Sequence, residues 1–311
     1  MAQQNANKVD YPLRHFSRQH ALMANPVSWL LAVMALVSLA FAVTWWRAWR
    51  INQPPHGRPS PLLLAFGGVS LFFDTLGIGN FAPTTAFFRM TRLVRDELIP
   101  GTLNVGSALP VAIEAFAFIS AIQVDPVTLV VLVPSAFAGS VLGATVVSRL
   151  RARPIQIGMG FALLVGACFM AATNLGLVAG GGDAIGFSGS TLVSAAAFNF
   201  LLGGLNALGI GNYAPGLLVF SFLGLNPRAA FPIVMGSAAY MQAGCGIRFV
   251  KTGRFDGTAA LAMTLAGIPG VLLAAYVVKS LPLAVLRWMV VGVVTYASML
   301  MLSAARKGEG A

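Results

Sequence analysis

The chain has 311 residues, of which 57% are hydrophobic and only 9% are charged, whereas a typical soluble domain is about 25% charged. Its net charge of +11 does not indicate nucleic-acid binding, because the basic residues punctuate the ends of apolar runs, as membrane topology requires. Cys168 and Cys245 form no metal-binding spacing and are expected to be small core residues. The composition predicts an integral membrane protein without metal or cofactor. The sequence contains no clear nucleophile–base pair, so an enzyme is not expected.

Apolar runs of about 20 residues, long enough to cross the hydrocarbon of a bilayer, recur along the chain. A polar tail at 1–26 is followed by an extra transmembrane helix and linker at 27–60. No signal peptide is expected, because the first apolar run starts behind this tail and is too long. The predicted spans are 27–46, 100–122, 127–148, 155–175, 229–247, 258–278 and 283–302. Two further apolar segments, 61–88 and 189–222, are long but interrupted.

The interrupted segments reveal an internal repeat. Residues 76–83 read LGIGNFAP, and residues 208–215 read LGIGNYAP. Further matches follow in the same order: Asp125 with Asp256, and Gly139-xxx-Gly143 with Gly270-xxx-Ala274. The order predicts a duplication, with one membrane repeat at 61–176 and the second at 188–304. Small residues four positions apart also predict close packing between helices.

The positive-inside rule bears on how the two repeats are oriented. If each interrupted segment enters and leaves the membrane on one side, most basic residues fall on the cytoplasmic side, including those in 149–153 and 248–254. An odd number of crossings then inverts the second repeat. The predicted fold is all-α, with two inverted repeats, each a re-entrant broken helix plus three transmembrane helices, behind one extra N-terminal helix.

The order of motifs in each half resembles the TauE/SafE family, also called the sulfite exporter or TSUP family. Each half has a Gly-rich break with a following Pro, a Gly-Ser-Ala helix, an acidic turn and a small-xxx-small helix, and the resemblance covers residues 61–304. The family's Gly-rich run is here Gly-Ile-Gly-Asn, and its Gly-Thr-Ser signal is here Gly-Ser-Ala. The resemblance implies a transporter of sulfur-containing anions, such as sulfite, thiosulfate or organosulfonates, in a bacterial cytoplasmic membrane.

The break in each half is a candidate anion site on physical grounds. Gly77 and Gly79 free the backbone from helical geometry, Asn80 is a typical N-cap, and Pro83 fits a first helical turn. A half-helix is therefore expected to start near Phe81, inside the membrane. Its N-terminus offers unpaired N–H donors and about half a positive charge, and irregular backbone at this depth has to be buried or line a cavity.

The second copy predicts a second half-helix that faces the same anion near the bilayer midplane. The alternative is that the glycines only allow close packing. Nearby hydroxyls could also hold the anion, or could instead bond their own helix backbone. The predicted substrate site comprises Gly77, Gly79, Asn80, Phe81, Thr84, Ser107, Gly209, Gly211, Asn212, Tyr213 and Ser237.

Two acidic residues within apolar runs, Asp74 and Glu114, are candidates for proton coupling, because ionisable residues inside membranes are usually functional. Asp74 aligns with Asn206, so the fold does not need a charge at this position. Asp74 could instead tie the loop, and Glu114 could bond backbone groups freed by Pro110. For each of these two residues, the sequence alone does not decide between proton coupling and the structural role.

The leading functional hypothesis is a secondary anion transporter whose partners are a small anion and the lipid bilayer. A passive anion channel with the same site is the first alternative, and a transporter of small carboxylates is the second. No nucleotide-binding motif accompanies the membrane region, so ATP-driven transport would need a separate subunit.

Overall fold

The computed structural model describes residues 26–52, 59–143, 152–177, 182–206, 211–280 and 282–307. Within these ranges the chain is all-helical, as predicted, with no β-strand beyond one isolated bridge. A 3₁₀ turn (Asp96–Leu98) precedes α4, and a π-helical turn (Gly139–Gly143) follows α5. The helices are α1 (Pro26–Asn52), α2 (Pro61–Thr75), α3 (Phe81–Thr91), α4 (Ile99–Ala121), α5 (Pro126–Ala138), α6 (Ala152–Asn174), α7 (Gly189–Asn206), α8 (Tyr213–Phe222), α9 (Pro227–Thr252), α10 (Gly257–Ser280) and α11 (Leu283–Lys307).

Four of the described helices are long and apolar enough to cross a membrane. These stretches are Pro26–Arg50, Ile99–Ala121, Gly257–Val277 and Arg287–Arg306, and they coincide with four of the seven predicted spans. Of the other three, 229–247 lies in the long but less apolar α9, and 155–175 lies largely in α6. The span predicted at 127–148 is instead divided between α5 and the π-helical turn, and its end lies outside the described residues.

The acidic residues at matching positions in the two halves have the same structural role. Asp125 Oδ2 accepts a hydrogen bond from the backbone N–H of Thr128 at 2.8 Å. Asp256 Oδ1 accepts one from the N–H of Ala259, also at 2.8 Å. Each carboxylate caps the helix that follows it, because its oxygen satisfies a first-turn N–H that has no partner inside the helix.

Helices of the two repeats pack in exchanged pairs. The first helix of repeat 1, α2, packs against the fourth helix of repeat 2, α10, and α7 packs in the same way against α5. The two third helices, α4 and α9, pack together, and so do the two fifth helices, α6 and α11.

Small residues bring the exchanged pairs into close contact, as the sequence predicted. A Cβ added to Gly270 of α10 would lie 2.5 Å from the carbonyl oxygen of Gly68 in α2. A Cβ added to Gly139, after α5, would collide with the carbonyl oxygen of Phe200 in α7. Larger side chains would therefore force these helices apart.

The paired helices α4 and α9 lie antiparallel. At one end, a Cβ on Gly101 would collide with the carbonyl oxygen of Arg254. Toward the other end, a Cβ on Gly236 would lie 3.2 Å from Cδ1 of Ile119. The start of α4 therefore meets the end of α9, and the late part of α4 meets the early part of α9.

The shorter helices α2 and α3 fold back on each other across the first break. The Ser70 and Thr84 hydroxyls are 2.7 Å apart. Farther from the break, the rings of Phe66 and Phe87 stack with centroids 3.7 Å apart. The beginning of α2 and the end of α3 therefore lie on the same side of the molecule.

Large apolar side chains cover much of the outer surface. On α1 they include Trp29, Leu36, Leu39 and Trp46, and on α6 they include Phe161 and Val165. Such a surface fits contact with lipid rather than with water.

Both cysteines were expected to be small core residues. This expectation is wrong for Cys168, which is exposed on α6, and Cys245 is only partly buried. The apolarity of the surrounding sequence does not decide which face of a helix a residue occupies, because the face follows from helix periodicity.

Candidate functional site

The first break lies between α2 and α3 and has the predicted backbone. Gly77 and Gly79 have φ values of 95° and 81°, a left-handed region that L side chains rarely adopt. Phe81 begins α3 and is buried in the hydrophobic core, and Pro83 lies in the first turn. A Cβ on Gly77 would approach Cδ1 of Leu217 to 3.0 Å, so both geometry and space favour glycine there.

The second break lies between the end of α7 at Asn206 and the start of α8 at Tyr213. Gly209 of the predicted site lies outside the described residues. Gly211 precedes Asn212, and none of the described residues places an atom within 4 Å of a Cβ built on Gly211.

The two breaks meet at Glu114 of α4. The Thr75 hydroxyl, at the end of α2, donates to Glu114 Oε2 at 3.1 Å. The Tyr213 hydroxyl, at the start of α8, donates to Glu114 Oε1 at 2.9 Å. A Cβ on Gly79 would lie 3.8 Å from Cβ of Tyr213, which brings the two breaks into direct proximity. Glu114 is fully buried, so this carboxyl joins both halves of the chain inside the protein.

The alternative that Glu114 bonds backbone groups freed by Pro110 is wrong. A proline within a helix releases the carbonyl four residues before it, which here belongs to Gly106. That carbonyl accepts a hydrogen bond from the Thr264 hydroxyl of α10 at 2.9 Å. Both oxygens of Glu114 accept from side chains instead.

Asn80 and Asn212 immediately precede the half-helices, but their side chains do not cap them, so the capping prediction is wrong. The Asn80 Nδ2 atom donates to Ser107 Oγ at 2.6 Å, and Asn212 Nδ2 donates to the carbonyl of Val234 at 3.0 Å. Their backbone dihedrals, φ −86° and ψ −20° for Asn80 and φ −87° and ψ −9° for Asn212, are near-helical, whereas a capping residue is usually extended. Each amide instead ties its break to the third helix of the same repeat.

Asp74 binds the start of the first half-helix. Its Oδ1 accepts a hydrogen bond from the backbone N–H of Asn80 at 2.8 Å, and the side chain is fully buried. The loop-tying role is therefore confirmed, while proton coupling stays a prediction. An acidic group is favourable at this position because the N-terminus of a helix carries partial positive charge.

The hydroxyls of the predicted site form hydrogen bonds between helices. Thr84 of α3 pairs with Ser70 of α2. Ser107 accepts from the amide at the first break, and Ser237 accepts from Asn199 Nδ2 of α7 at 2.9 Å. These contacts run between helices, whereas the alternative that the sequence left open was a bond from each hydroxyl to the backbone of its own helix. The three residues hold the breaks and their supporting helices together.

Buried polar atoms without a hydrogen-bond partner occur at several places in the described residues, and three of them lie at the breaks. These are Asp74 Oδ2 and Asn80 Oδ1 at the first break and Asn206 Nδ2 at the second. Nearly all buried polar groups in native proteins are paired. Unpaired atoms beside two half-helices are therefore consistent with a polar ligand or water between them.

Thr75 belongs to the polar centre but was missing from the predicted site. A signal existed, since this threonine lies between the intramembrane acid Asp74 and the Gly-rich break.

A cavity of about 560 Å³ lies elsewhere, where the start of α5 meets the segment before α7. Its lining includes Asp125, Ile185 and Phe187 and none of the predicted site residues.

Neither a family model, nor a curated protein, nor a solved structure matches the chain. Its function is therefore inferred from its own residues and their geometry.

Proposed function

We propose that this protein is a secondary transporter of small anions in a bacterial cytoplasmic membrane. Sulfur oxyanions and organosulfonates are the substrates that the TauE/SafE resemblance implies. The observation that carries the proposal is the bridge at Glu114, which joins the end of α2 to the start of α8. Two interrupted helices from two repeats that meet at one buried polar centre are the arrangement expected of a transporter's substrate site.

The proposed membrane arrangement has two inverted repeats, each with a re-entrant helical hairpin. It is supported by the antiparallel packing of α4 on α9, because equivalent helices of two inverted units run in opposite directions. The fold-back of α2 on α3 supports a hairpin that returns to the side where it entered. In this arrangement α2–α3 and α7–α8 approach the centre from opposite sides of the membrane.

The buried polar side chains that the structure describes include no Lys or Arg. An anion at this centre must therefore be held by neutral donors. The half-helix starts at Phe81 and Tyr213 supply such donors as first-turn N–H groups, together with the positive end of each helix dipole. Neutral binding also suits transport, because a site that must release its substrate cannot bind it too tightly.

The two buried carboxyls give a physical reason for coupling to protons. An anion placed beside Asp74 and Glu114 is repelled when they are charged, and like charges at close range cost several kcal/mol. A proton on either carboxyl removes part of this repulsion. Anion binding and proton uptake therefore favour each other, and thermodynamic linkage makes this effect reciprocal.

Flux into proteoliposomes tests the proposal. Purified protein is reconstituted and supplied with sulfite, thiosulfate, an organosulfonate and a small carboxylate, each with and without a pH gradient. We expect saturable flux of at least one sulfur anion, and accumulation above the outside concentration when the gradient is imposed. Flux that equilibrates but never accumulates would indicate a passive channel. Flux no greater than in protein-free liposomes for every anion would contradict the proposal.

A further inference from the structure

The Glu114 carboxyl already uses hydroxyl donors that a small anion between the two breaks would need. The Tyr213 hydroxyl, in the first residue of α8, donates to Glu114 Oε1 at 2.9 Å. The Thr75 hydroxyl, in the last residue of α2, donates to Glu114 Oε2 at 3.1 Å. An ionised carboxylate presents only acceptor oxygens, as a sulfur oxyanion does. The carboxyl and such an anion therefore compete for the same donors.

The two hydroxyls depend on Glu114 to different degrees. Thr75 also donates to the carbonyl of Leu71 at 3.0 Å, so its hydroxyl keeps a partner without the carboxyl. Tyr213 is buried, and the partner that the described residues supply to its hydroxyl is Glu114. Without the carboxyl, this donor would be buried and unpaired, which is costly unless another acceptor replaces it.

The pair of Glu114 and Tyr213 occurs once, although the duplication offers a place for two. The residue matching Tyr213 in repeat 1 is Phe81, and the residue matching Glu114 in repeat 2 is Gly244. A Cβ on Gly244 would lie 2.7 Å from Cε2 of Phe137, so an aromatic ring borders that position. The other half therefore has the matching helices without the acid or the hydroxyl, which indicates that the fold itself does not require the pair.

We infer that the Glu114 carboxyl is a built-in substitute for the transported anion, and that the anion takes its place on the Tyr213 hydroxyl during transport. This inference rests on the proposed function and refines it, because the anion replaces the carboxyl instead of binding beside it. Replacement keeps the buried hydroxyl paired and avoids two like charges at close range. Since the pair occurs once, each chain holds one anion at this position.

Removal of the carboxyl should create a binding place for a free carboxylate. Acetate has the methyl and carboxylate groups that Glu114→Ala lacks. The variant in lipid nanodiscs at pH 7 is heated with increasing acetate, and its unfolding temperature is followed. We expect a saturable rise, because bound acetate pairs the Tyr213 hydroxyl again and a ligand of the folded state stabilises it. The wild type should show no comparable rise, since its own carboxyl fills this place.

Two further variants separate a specific place from a general effect of acetate. Glu114→Met removes the acid but fills the space with a side chain of similar length, so acetate should not stabilise it. The double variant Glu114→Ala/Tyr213→Phe has the space but lacks the donor, and it should lose most of the acetate effect. Size exclusion checks that each variant is monodisperse, and Glu114→Ser, which also lacks the carboxyl, repeats the measurements if the alanine variant is not.

The affinity for a transported anion gives a second readout. The tightest-binding anion among sulfite, thiosulfate and isethionate is titrated by calorimetry into the same nanodiscs. It should bind Glu114→Ala about tenfold or more tightly than the wild type, because the competing carboxyl and its charge are gone, and acetate should compete with it.

Three results would overturn the inference and leave the transporter proposal intact. Acetate could fail to stabilise Glu114→Ala, it could stabilise Glu114→Met equally, or the transported anion could bind Glu114→Ala no more tightly than the wild type. Failure of every anion to bind both the wild type and Glu114→Ala would overturn the inference and the proposed function together.

Discussion

The bridge between the two breaks makes a quantitative prediction that a double-mutant cycle can test. Glu114→Ala removes the acceptor of two hydroxyls. Thr75 keeps a second acceptor, the carbonyl of Leu71 at 3.0 Å, so only the Tyr213 hydroxyl is left buried and unpaired. An unpaired buried polar group costs about 1–3 kcal/mol, in addition to the cost of the cavity.

The second arm of the cycle is Tyr213→Phe, which copies the residue that the first repeat has at Phe81. Alone it removes one donor from Glu114 and should cost about 1–3 kcal/mol, because Glu114 Oε1 is then left buried without its partner. In the double variant Glu114→Ala/Tyr213→Phe, neither partner remains unpaired. The double variant should therefore be about 1–3 kcal/mol more stable than the sum of the single effects predicts.

Equilibrium unfolding in mixed detergent micelles measures these differences. The cavity left by alanine is present in both Glu114 variants and cancels in the cycle. Additivity within about 0.5 kcal/mol would refute the bridge, because it would mean that the two side chains stabilise the fold independently.

The remaining predictions concern topology, coupling and the break glycines. Accessible cysteines introduced in 149–153 and 248–254 should both be labelled from the cytoplasmic side, and labelling from opposite sides would remove the inverted arrangement. Asp74→Asn should be expressed and inserted normally but should lose the dependence of flux on a pH gradient; unchanged pH-driven flux would move coupling to another group. Gly79→Leu forces a side chain to φ 81° and should lower stability by about 1–3 kcal/mol, as measured by thermal unfolding. A Cβ on Gly211 meets no atom of the described residues within 4 Å, so Gly211→Leu should leave stability near wild type but abolish anion binding, and wild-type binding in that variant would exclude this break as the site.

The positions of the breaks were predictable because local sequence determines them. Glycine at Gly77 and Gly79 permits left-handed backbone, and Pro83 fits a first helical turn. Both signals act within a few residues, and the second copy of the motif has the same residue types at the matching positions. Close packing at Gly139 and Gly270 was predictable for the same reason, since a stripe of small residues has one dominant consequence between helices.

The connections of the site were not predictable, because they join residues far apart in sequence. Glu114 meets Thr75 across 39 positions and Tyr213 across 99 positions, and no local pattern specifies such pairs. The roles of Asn80 and Asn212 were missed for a different reason. Whether an asparagine caps a helix depends on its ψ angle, and the two break residues are already near-helical.

The most direct test of the central claim is to locate a bound anion. Crystals of the full chain are soaked with the selenium analogue of the anion that the flux panel selects, and anomalous scattering locates the selenium. We expect one peak per chain where the two breaks meet, beside the first turns of α3 and α8. A peak only in the cavity beside Asp125, or no peak at either break under conditions that saturate transport, would contradict it.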